Sequence, residues 1–295
     1  MKHYEVKEVN LLGGEKIAYR ESSDRTKPHL LLIHGNMSGS IHFQTLMEEL
    51  EEDYHVISPD LPGFGSSSYQ NEHSSLLDFA KDMECFVNAL SIGDFEVLGW
   101  STGGGIALEL AYLIPEQVSK VYLLSSVGVK GYPMYKKDEK FQPILTERLI
   151  TKEEIAADPV QVLPVLNFYE TKNREAMRMI WDAAIYINDK PRNEEYQAYL
   201  EEMIKQVNLV DIDYSLVHFN ITNEFNGVAE GSGHIDGIQC PVVIIHGALD
   251  QVVNLAEAEK SKEFFGEKAQ LHIFETAGHA IVTDEMVELV KIIKE

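Results

Sequence analysis

The chain has 295 residues, of which 44% are hydrophobic and 25% are charged, a composition typical of a globular protein with one large α/β domain or two small ones. Its formal net charge of −23 argues against nucleic-acid binding and against docking on an anionic membrane, because both need a basic surface. Cys85 falls in a predicted amphipathic helix and Cys240 at the start of an apolar strand, so we expect buried thiols and neither a disulfide nor a metal pair.

The first 126 residues predict a β-hairpin followed by alternating strands and helices. Gly13-Gly14 joins the strands YEVKEVNLL (4–12) and EKIAYRE (15–21), and this pair favours a tight turn. Apolar strands follow at HLLLIHG (29–35), YHVISPD (54–60), FEVLG (95–99) and KVYLLSS (120–126). Apolar spacing predicts a helix over 77–90 and another just after residue 101, with Glu109 facing outward. This order is typical of a mostly parallel sheet covered on both faces.

From residue 128 to residue 236 the pattern is helical only, which predicts an insert of about a hundred residues between two parts of one sheet domain, 1–127 and 237–295. Helices are expected around Thr146–Ala157, Pro159–Tyr169, Arg174–Tyr186 and Glu194–Val207. Strand character resumes at PVVIIHG (241–247) and AQLHIFE (269–275), with helices around Leu255–Phe265 and Ile281–Ile293.

The segment GWSTGGGIALELA (99–111) puts Ser101 on a turn between a strand and a helix with almost no loop. Such a turn forces its central residue towards positive φ, and Gly99 and Gly103 stand where side chains would clash. In enzymes that use this turn, it lifts the serine hydroxyl clear of the sheet and sets the next N–H, here that of Thr102, at a helix N-terminus. The alternative is a glycine-rich turn with an incidental serine. Candidate partners for a catalytic serine elsewhere in the chain are needed to distinguish the two.

A serine nucleophile needs a histidine base, and the histidine needs a carboxylate to hold its tautomer. Asp250 follows a strand in PVVIIHGALDQVV, and His279 follows the next strand in LHIFETAGHAIVTDE. The carboxyl ends of parallel strands meet at one edge of the sheet, where open α/β folds place their sites. Taken singly, a turn-capping aspartate and a helix-start histidine are plausible, but the order Ser101, Asp250, His279 favours a catalytic triad.

A second backbone donor for an oxyanion is expected in LLLIHGNMSGS (30–40), where the N–H of Asn36 is the first choice and that of Met37 the alternative, beside the N–H of Thr102. The remaining candidates are expected to serve structure. His34 and His246 each end an apolar strand before a glycine and should brace loops, as should Asp60 in DLPGFGSS. His234, in a glycine-rich loop, is a weak rival to His279.

The pieces HGN, DLPGFGSS, GWSTGG, HGALDQVV and AGH, in this order, resemble the α/β-hydrolase superfamily. The resemblance implies an eight-stranded sheet, a helical cap inserted after the sixth strand, a Ser-His-Asp triad, and no cofactor or metal. At the level of GWSxGG and the cap, the chain also looks like intracellular polyhydroxybutyrate depolymerases of Gram-positive bacteria and general carboxylesterases.

The expected function is hydrolysis of a small-molecule ester of short to medium acyl chain through an acyl-enzyme on Ser101. The alternatives are a lactone, amide or C–C bond hydrolase with the same triad, and a non-catalytic ligand receptor or partner-binding protein that keeps the fold. The first ten residues lack the apolar core of a signal peptide and no run approaches 18 apolar residues, so we expect a cytoplasmic protein, with secretion by an unusual route left open. The physiological substrate and the oligomeric state stay open.

Overall fold

An eight-stranded sheet forms the centre of the protein, which a computed structural model describes over residues 2–295. In chain order the strands of the protein are β1 (Lys7–Asn10), β2 (Lys16–Glu21), β3 (His29–Ile33), β4 (His55–Pro59), β5 (Phe95–Trp100), β6 (Val118–Leu124), β7 (Tyr135–Lys137), β8 (Pro143–Arg148), β9 (Val242–Gly247) and β10 (Ala269–Phe274). The spatial order in the central sheet is β1-β2-β4-β3-β5-β6-β9-β10. The pairs β1–β2 and β2–β4 are antiparallel and all other neighbours are parallel. The predicted mostly parallel α/β sheet is confirmed.

Helices cover both faces because the central strands are apolar on both sides: every residue of β4 and β9 is buried. The α-helices are α1 (Gln44–Leu50), α2 (Leu76–Ala89), α3 (Thr102–Leu113), α4 (Lys152–Ala156), α5 (Leu163–Glu170), α6 (Arg174–Ala184), α7 (Asn193–Met203), α8 (Leu209–His218), α9 (Leu255–Phe265), α10 (Ile281–Asp284) and α11 (Met286–Lys294). Helices α2, α3 and α9 pack in one core layer, and α1 and α11 pack in the layer on the opposite face.

The segment between β6 and β9 corrects the expectation of a purely helical insert. It contains a two-stranded antiparallel hairpin, β7–β8, before the helices α4 to α8. The predicted helix over Thr146–Ala157 is wrong in its first half, because residues 143–148 form β8. The helix begins only at Lys152, where Thr151 and Glu154 form a capping box that fixes the helix start. Helix α8 was not predicted, and three of its residues, Leu209, Asp213 and Leu216, line the cavity described below.

Two further expectations are corrected by packing. Glu109 on α3 is buried, not outward, because the 3₁₀ helix His234–Gly237 of the insert packs on α3. The Oε2 atom of Glu109 lies 2.7 Å from Nδ1 of His234, whose ring stacks on Tyr112. The predicted helix Ile281–Ile293 is divided at Glu285, which has φ −141° and separates α10 from α11.

Candidate active site

Ser101 lies between β5 and α3 with φ 55° and ψ −120°, the positive φ that the sequence predicted for this turn. A Cβ atom on Gly99 would lie 2.2 Å from the carbonyl oxygen of Gly103, and a Cβ atom on Gly103 would lie 2.2 Å from that of Ile33. Both distances are far below van der Waals contact, so only glycine allows the strand, the turn and the neighbouring strand to approach this closely. The turn therefore holds Ser101 at the carboxyl end of the sheet.

Asp250 and His279 form a hydrogen-bonded pair at the ends of β9 and β10. Nδ1 of His279 lies 2.8 Å from Oδ2 of Asp250, and the carboxyl group is fully buried. Oδ1 of Asp250 accepts from the N–H groups of Val252 and Val253 at 2.8 and 3.0 Å. Burial alone would raise the pKa of Asp250, but the charge and hydrogen bond of His279 outweigh it and hold the pKa below the usual aspartate range. The pair is thus a carboxylate that orients an imidazole.

The backbone of His279 is held by a residue that sequence reasoning missed. Nε1 of the buried Trp100 donates to the carbonyl oxygen of His279 at 3.0 Å. On the same loop, the N–H of Gly278 donates to Oδ2 of Asp284 at 2.8 Å. Trp100 directly precedes Ser101, so one chain position links the serine turn to the histidine loop. The one feature of the sequence that could have marked this residue is its rarity, since the chain has only two tryptophans.

Ser101 and His279 line the same cavity, whose volume is about 220 Å³. Nδ1 of His279 is taken by Asp250, so Nε2 is the ring nitrogen left for a reacting group. Within residues 2–295, Oγ of Ser101 makes no hydrogen bond, so the serine–histidine bond is not closed in this structure. Catalytic hydrogen bonds are often long before substrate binds, and the shared cavity is the relevant geometry. Asn36, Met37 and Thr102 line the same cavity.

The backbone donors near Ser101 separate the two oxyanion candidates. The N–H of Met37 is already used by Oδ1 of Asn36 at 2.9 Å and Oε1 of Gln206 at 3.0 Å. Among the described residues, the N–H of Asn36 has no acceptor. Thr102 is the first residue of α3, where N–H groups have no intrahelical partner. Asn36 and Thr102 therefore offer the free donors, which favours Asn36 over Met37.

The insert holds the Asn36 turn through side chains that no sequence motif marked. Nε2 of Gln206, in the loop between α7 and α8, donates to Oδ1 of Asn36 at 2.8 Å. The hydroxyl of Tyr169 on α5 donates to Oε1 of Gln206 at 2.7 Å. From α8, Asp213 accepts from Nδ2 of Asn36 at 3.1 Å. Three elements of the insert thus position one turn of the sheet domain.

His34, His246 and Asp60 form hydrogen bonds that hold neighbouring loops, as expected. Nε2 of His34 accepts from the N–H of Leu61 at 3.0 Å, and burial lowers the pKa of His34. Nε2 of His246 lies 2.9 Å from the carbonyl oxygen of Val253, in the Asp250 loop. Asp60 accepts from the N–H groups of Ser40 and Ser66, at 2.8 and 3.0 Å. His234 is engaged with Glu109, and the structure does not bring it to the cavity.

The described residues contain no cluster of three or more His, Cys, Asp or Glu side chains able to hold a metal ion. Cys85 and Cys240 are free thiols; Cys240 is buried as expected, whereas Cys85 is only partly buried. Among the described residues, no helix has both the length and the apolar composition needed to cross a bilayer.

Comparison with known proteins indicates the same fold family as the sheet topology and the serine turn. The family model described as "alpha/beta hydrolase fold" matches residues 28–285. Lipase 3 of Moraxella sp. (strain TA144) is 25% identical over 97% of this chain and 81% of its own length. The 2-hydroxymuconate semialdehyde hydrolase of Pseudomonas sp. (strain CF600) is 28% identical over 85% of this chain and 80% of its own.

Among solved structures, an esterase from Exiguobacterium antarcticum has a TM-score of 0.72 at 20% identity and covers 98% of this chain and 97% of its own. A lipase described as putative, from Acinetobacter baumannii, has a TM-score of 0.74 at 23% identity, covering 98% and 89%. At these identities the structural similarity shows only a shared fold. With the family model matching most of its length, the chain belongs to the α/β-hydrolase fold family.

Proposed function

We propose that the protein is a serine hydrolase that cleaves a carboxylic ester through an acyl-enzyme on Ser101, without a cofactor. The observation that carries this proposal is the buried Asp250–His279 pair beside a cavity that also contains Ser101 and the free N–H of Asn36. The lipase and esterase names among the relatives support an ester as the substrate class.

In the proposed mechanism, His279 takes the proton of Ser101 as the serine oxygen attacks the ester carbonyl. Asp250 keeps the imidazole in the tautomer that accepts at Nε2 and stabilises its protonated form. The N–H groups of Asn36 and Thr102 stabilise the oxyanion, and in comparable enzymes one such donor contributes about 3 kcal/mol. The tetrahedral intermediate collapses to the acyl-enzyme, and His279 gives its proton to the departing alcohol. Water activated by His279 then releases the acid.

Residues 128–236 act as the cap in this proposal. The wall of the cavity on that side is mainly apolar and comes from the insert, as expected for a pocket that holds an acyl chain. These lining side chains are Tyr132, Met134, Ile180, Trp181, Ala184, Ile185, Leu209 and Leu216. A cavity of about 220 Å³ favours short to medium chains.

The test is hydrolysis of p-nitrophenyl esters from acetate to palmitate by the wild-type protein and by Ser101→Ala. We expect turnover with an optimum at short to medium chain length and loss of turnover in the variant. The control is an unchanged circular dichroism spectrum of the variant. Equal turnover by both proteins would reject Ser101 as the nucleophile.

A second candidate is hydrolysis of a non-ester substrate by the same residues. It is favoured by the 28% identity to a semialdehyde hydrolase, which is slightly higher than the identity to Lipase 3. The catalytic residues are the same in both candidates, so substitutions cannot separate them. A substrate panel with lactones, amides and C–C bond substrates does.

A further inference from the structure

We propose that Asp213 binds a hydroxyl group of the substrate, carried by either the acyl or the alcohol part of the ester. The proposal rests on the proposed esterase function and adds a specificity-determining residue to it.

The position of Asp213 places a carboxyl group beside the expected oxyanion site. Asp213 lies on α8 and lines the cavity that contains Ser101 and His279. Its Oδ1 atom accepts from the side chain of Asn36 at 3.1 Å, and the backbone N–H of Asn36 is the proposed oxyanion donor. A substrate with its carbonyl group on that N–H therefore has neighbouring atoms within reach of Asp213.

The second oxygen of Asp213 lacks the lysine partner that two other aspartates of the insert have. Asp158 is paired with Lys137 at 2.9 Å, and Asp211 with Lys152 at 2.6 Å. Within the described chain, Oδ2 of Asp213 makes no hydrogen bond or ion pair, and no lysine or arginine is among the described residues that line the cavity. Leaving one oxygen of a carboxyl group unpaired in a largely apolar cavity costs free energy, which a hydrogen bond to a ligand would recover.

The ionisation of Asp213 favours a hydroxyl over a charged group. Burial against the cavity, and secondarily the charge of Asp158, raise the pKa of Asp213 to about 8. Near neutral pH the carboxyl group therefore exchanges between an acid that donates and a carboxylate that accepts. A hydroxyl donates and accepts, so it pairs with both forms, whereas an ammonium group pairs only with the carboxylate. Tyr132 and Gln161 on the same wall add polar side chains around this point.

The first experiment measures binding with two ketones that the enzyme cannot hydrolyse and that differ by one group. 4-Hydroxypentan-2-one carries a hydroxyl where 4-methylpentan-2-one carries a methyl, and a ketone has no fixed acyl or alcohol side. The fluorescence of Trp181, which lines the cavity, reports binding. We expect the wild-type protein to bind the hydroxyketone about tenfold more tightly, the effect of one hydrogen bond to a carboxyl group in the cavity wall.

Three variants separate recognition from support of the Asn36 turn. Asp213→Asn keeps an acceptor for Asn36 and an amide that can bond a hydroxyl, so a reduced preference should remain. Asp213→Leu, of similar size, should abolish the preference while still binding the methyl ketone, and Asp213→Ala serves if the leucine variant does not fold. Equal affinity of the wild-type protein for both ketones, or a preference that survives in the leucine or alanine variant, overturns the proposal.

Ester turnover shows whether the hydroxyl belongs to the acyl or the alcohol part. It also distinguishes failure of the proposed esterase function from failure of the proposed role of Asp213. Methyl 3-hydroxybutyrate against methyl 3-methylbutyrate tests the acyl side, and 2-hydroxyethyl butyrate against propyl butyrate tests the alcohol side, with released acid followed by titration. A tenfold higher kcat/KM for the hydroxylated member of one pair, lost in Asp213→Leu, supports the proposal and names the side. No turnover of any ester overturns the proposed function, and the ketone affinities still decide the role of Asp213.

Discussion

Asp250 is the single residue whose change most sharply tests the triad. In Asp250→Asn, the amide still accepts from the N–H groups of Val252 and Val253, so the loop should keep its shape. The amide no longer holds the imidazole in the accepting tautomer, and in a comparable triad this costs about 10⁴-fold in kcat. We expect a loss of three to four orders of magnitude in ester turnover, with an unchanged circular dichroism spectrum showing that the variant is folded.

The matched control is Asp284→Asn, which changes the carboxyl group on α10 that bonds the histidine loop and keeps an acceptor for the N–H of Gly278. It should retain most of the activity. If Asp250→Asn keeps wild-type turnover, the acid role belongs to another residue.

His42 makes the stability of the protein sensitive to acid. Its ring is buried and stacks on Tyr199 with centroids 4.4 Å apart, and burial lowers its pKa to about 3. The unfolded chain binds a proton at this histidine below about pH 6.5 and the folded protein does not until about pH 3, so the free energy of unfolding falls as the pH drops through that window. Between pH 7.5 and 5.0 this single group accounts for about 2 kcal/mol.

In His42→Phe the aromatic stack is retained and the proton linkage is removed. We expect the wild-type protein to lose about 2 kcal/mol more unfolding free energy than the variant between these two pH values, measured by urea titration. Other buried histidines contribute equally to both proteins and cancel in the difference. An unchanged difference between the two proteins at pH 7.5 and 5.0 would show that His42 is not the linked group.

At the scale of elements, the main feature is that the insert positions the turn after β3. Gln206 reaches the turn twice, through Oδ1 of Asn36 and the N–H of Met37. In Gln206→Leu both bonds are lost and Asn36 keeps only its side-chain bond to Asp213, so its N–H is held less firmly. We expect kcat to fall at least tenfold and KM for a short ester to change less than threefold, because the oxyanion forms only after substrate binding.

Tyr169→Phe is the matched control for this prediction. It removes one bond to Gln206 and leaves the amide bonds to Asn36 and Met37 in place. Its kcat should fall by less than that of the leucine variant. A rise in KM together with the fall in kcat in Gln206→Leu, with lower thermal stability, would point to a purely structural role.

The elements of the sheet domain were predictable because their signals are local. Apolar runs predicted β3 to β6, β9 and β10, and Gly13-Gly14 predicted the β1–β2 hairpin. In the insert, β7–β8 and α8 were missed. β8 exposes most of its side chains and is held mainly by β7, so its sequence carries little of the apolar pattern on which strand prediction depends.

For the whole molecule, the net charge of −23 predicts a stability that depends on salt. Charges of one sign repel each other more in the compact folded state than in the expanded chain, and added salt screens that repulsion. We expect Tm to rise as sodium chloride increases from 10 to 300 mM, and to rise equally in potassium chloride. A rise with only one of the two salts would indicate specific cation binding instead.

The sequence alone determined the α/β-hydrolase fold, the strained serine turn and the order Ser101, Asp250, His279. The strands and the turn depend on local residue patterns, and the order of the motifs is a property of the chain itself. The assignment of residues 128–236 as a cap and the cytoplasmic location stay predictions.

Only the tertiary structure decided which polar side chains meet at the cavity. It bonded Trp100 to the His279 loop, 179 residues away, and placed Gln206 and Asp213 on Asn36, 170 and 177 residues away. It also buried Glu109, which local spacing predicted to be exposed. The physical reason is that burial and hydrogen-bond pairing are set by which surfaces pack together, and a polar residue carries no local mark of a partner that the fold brings to it.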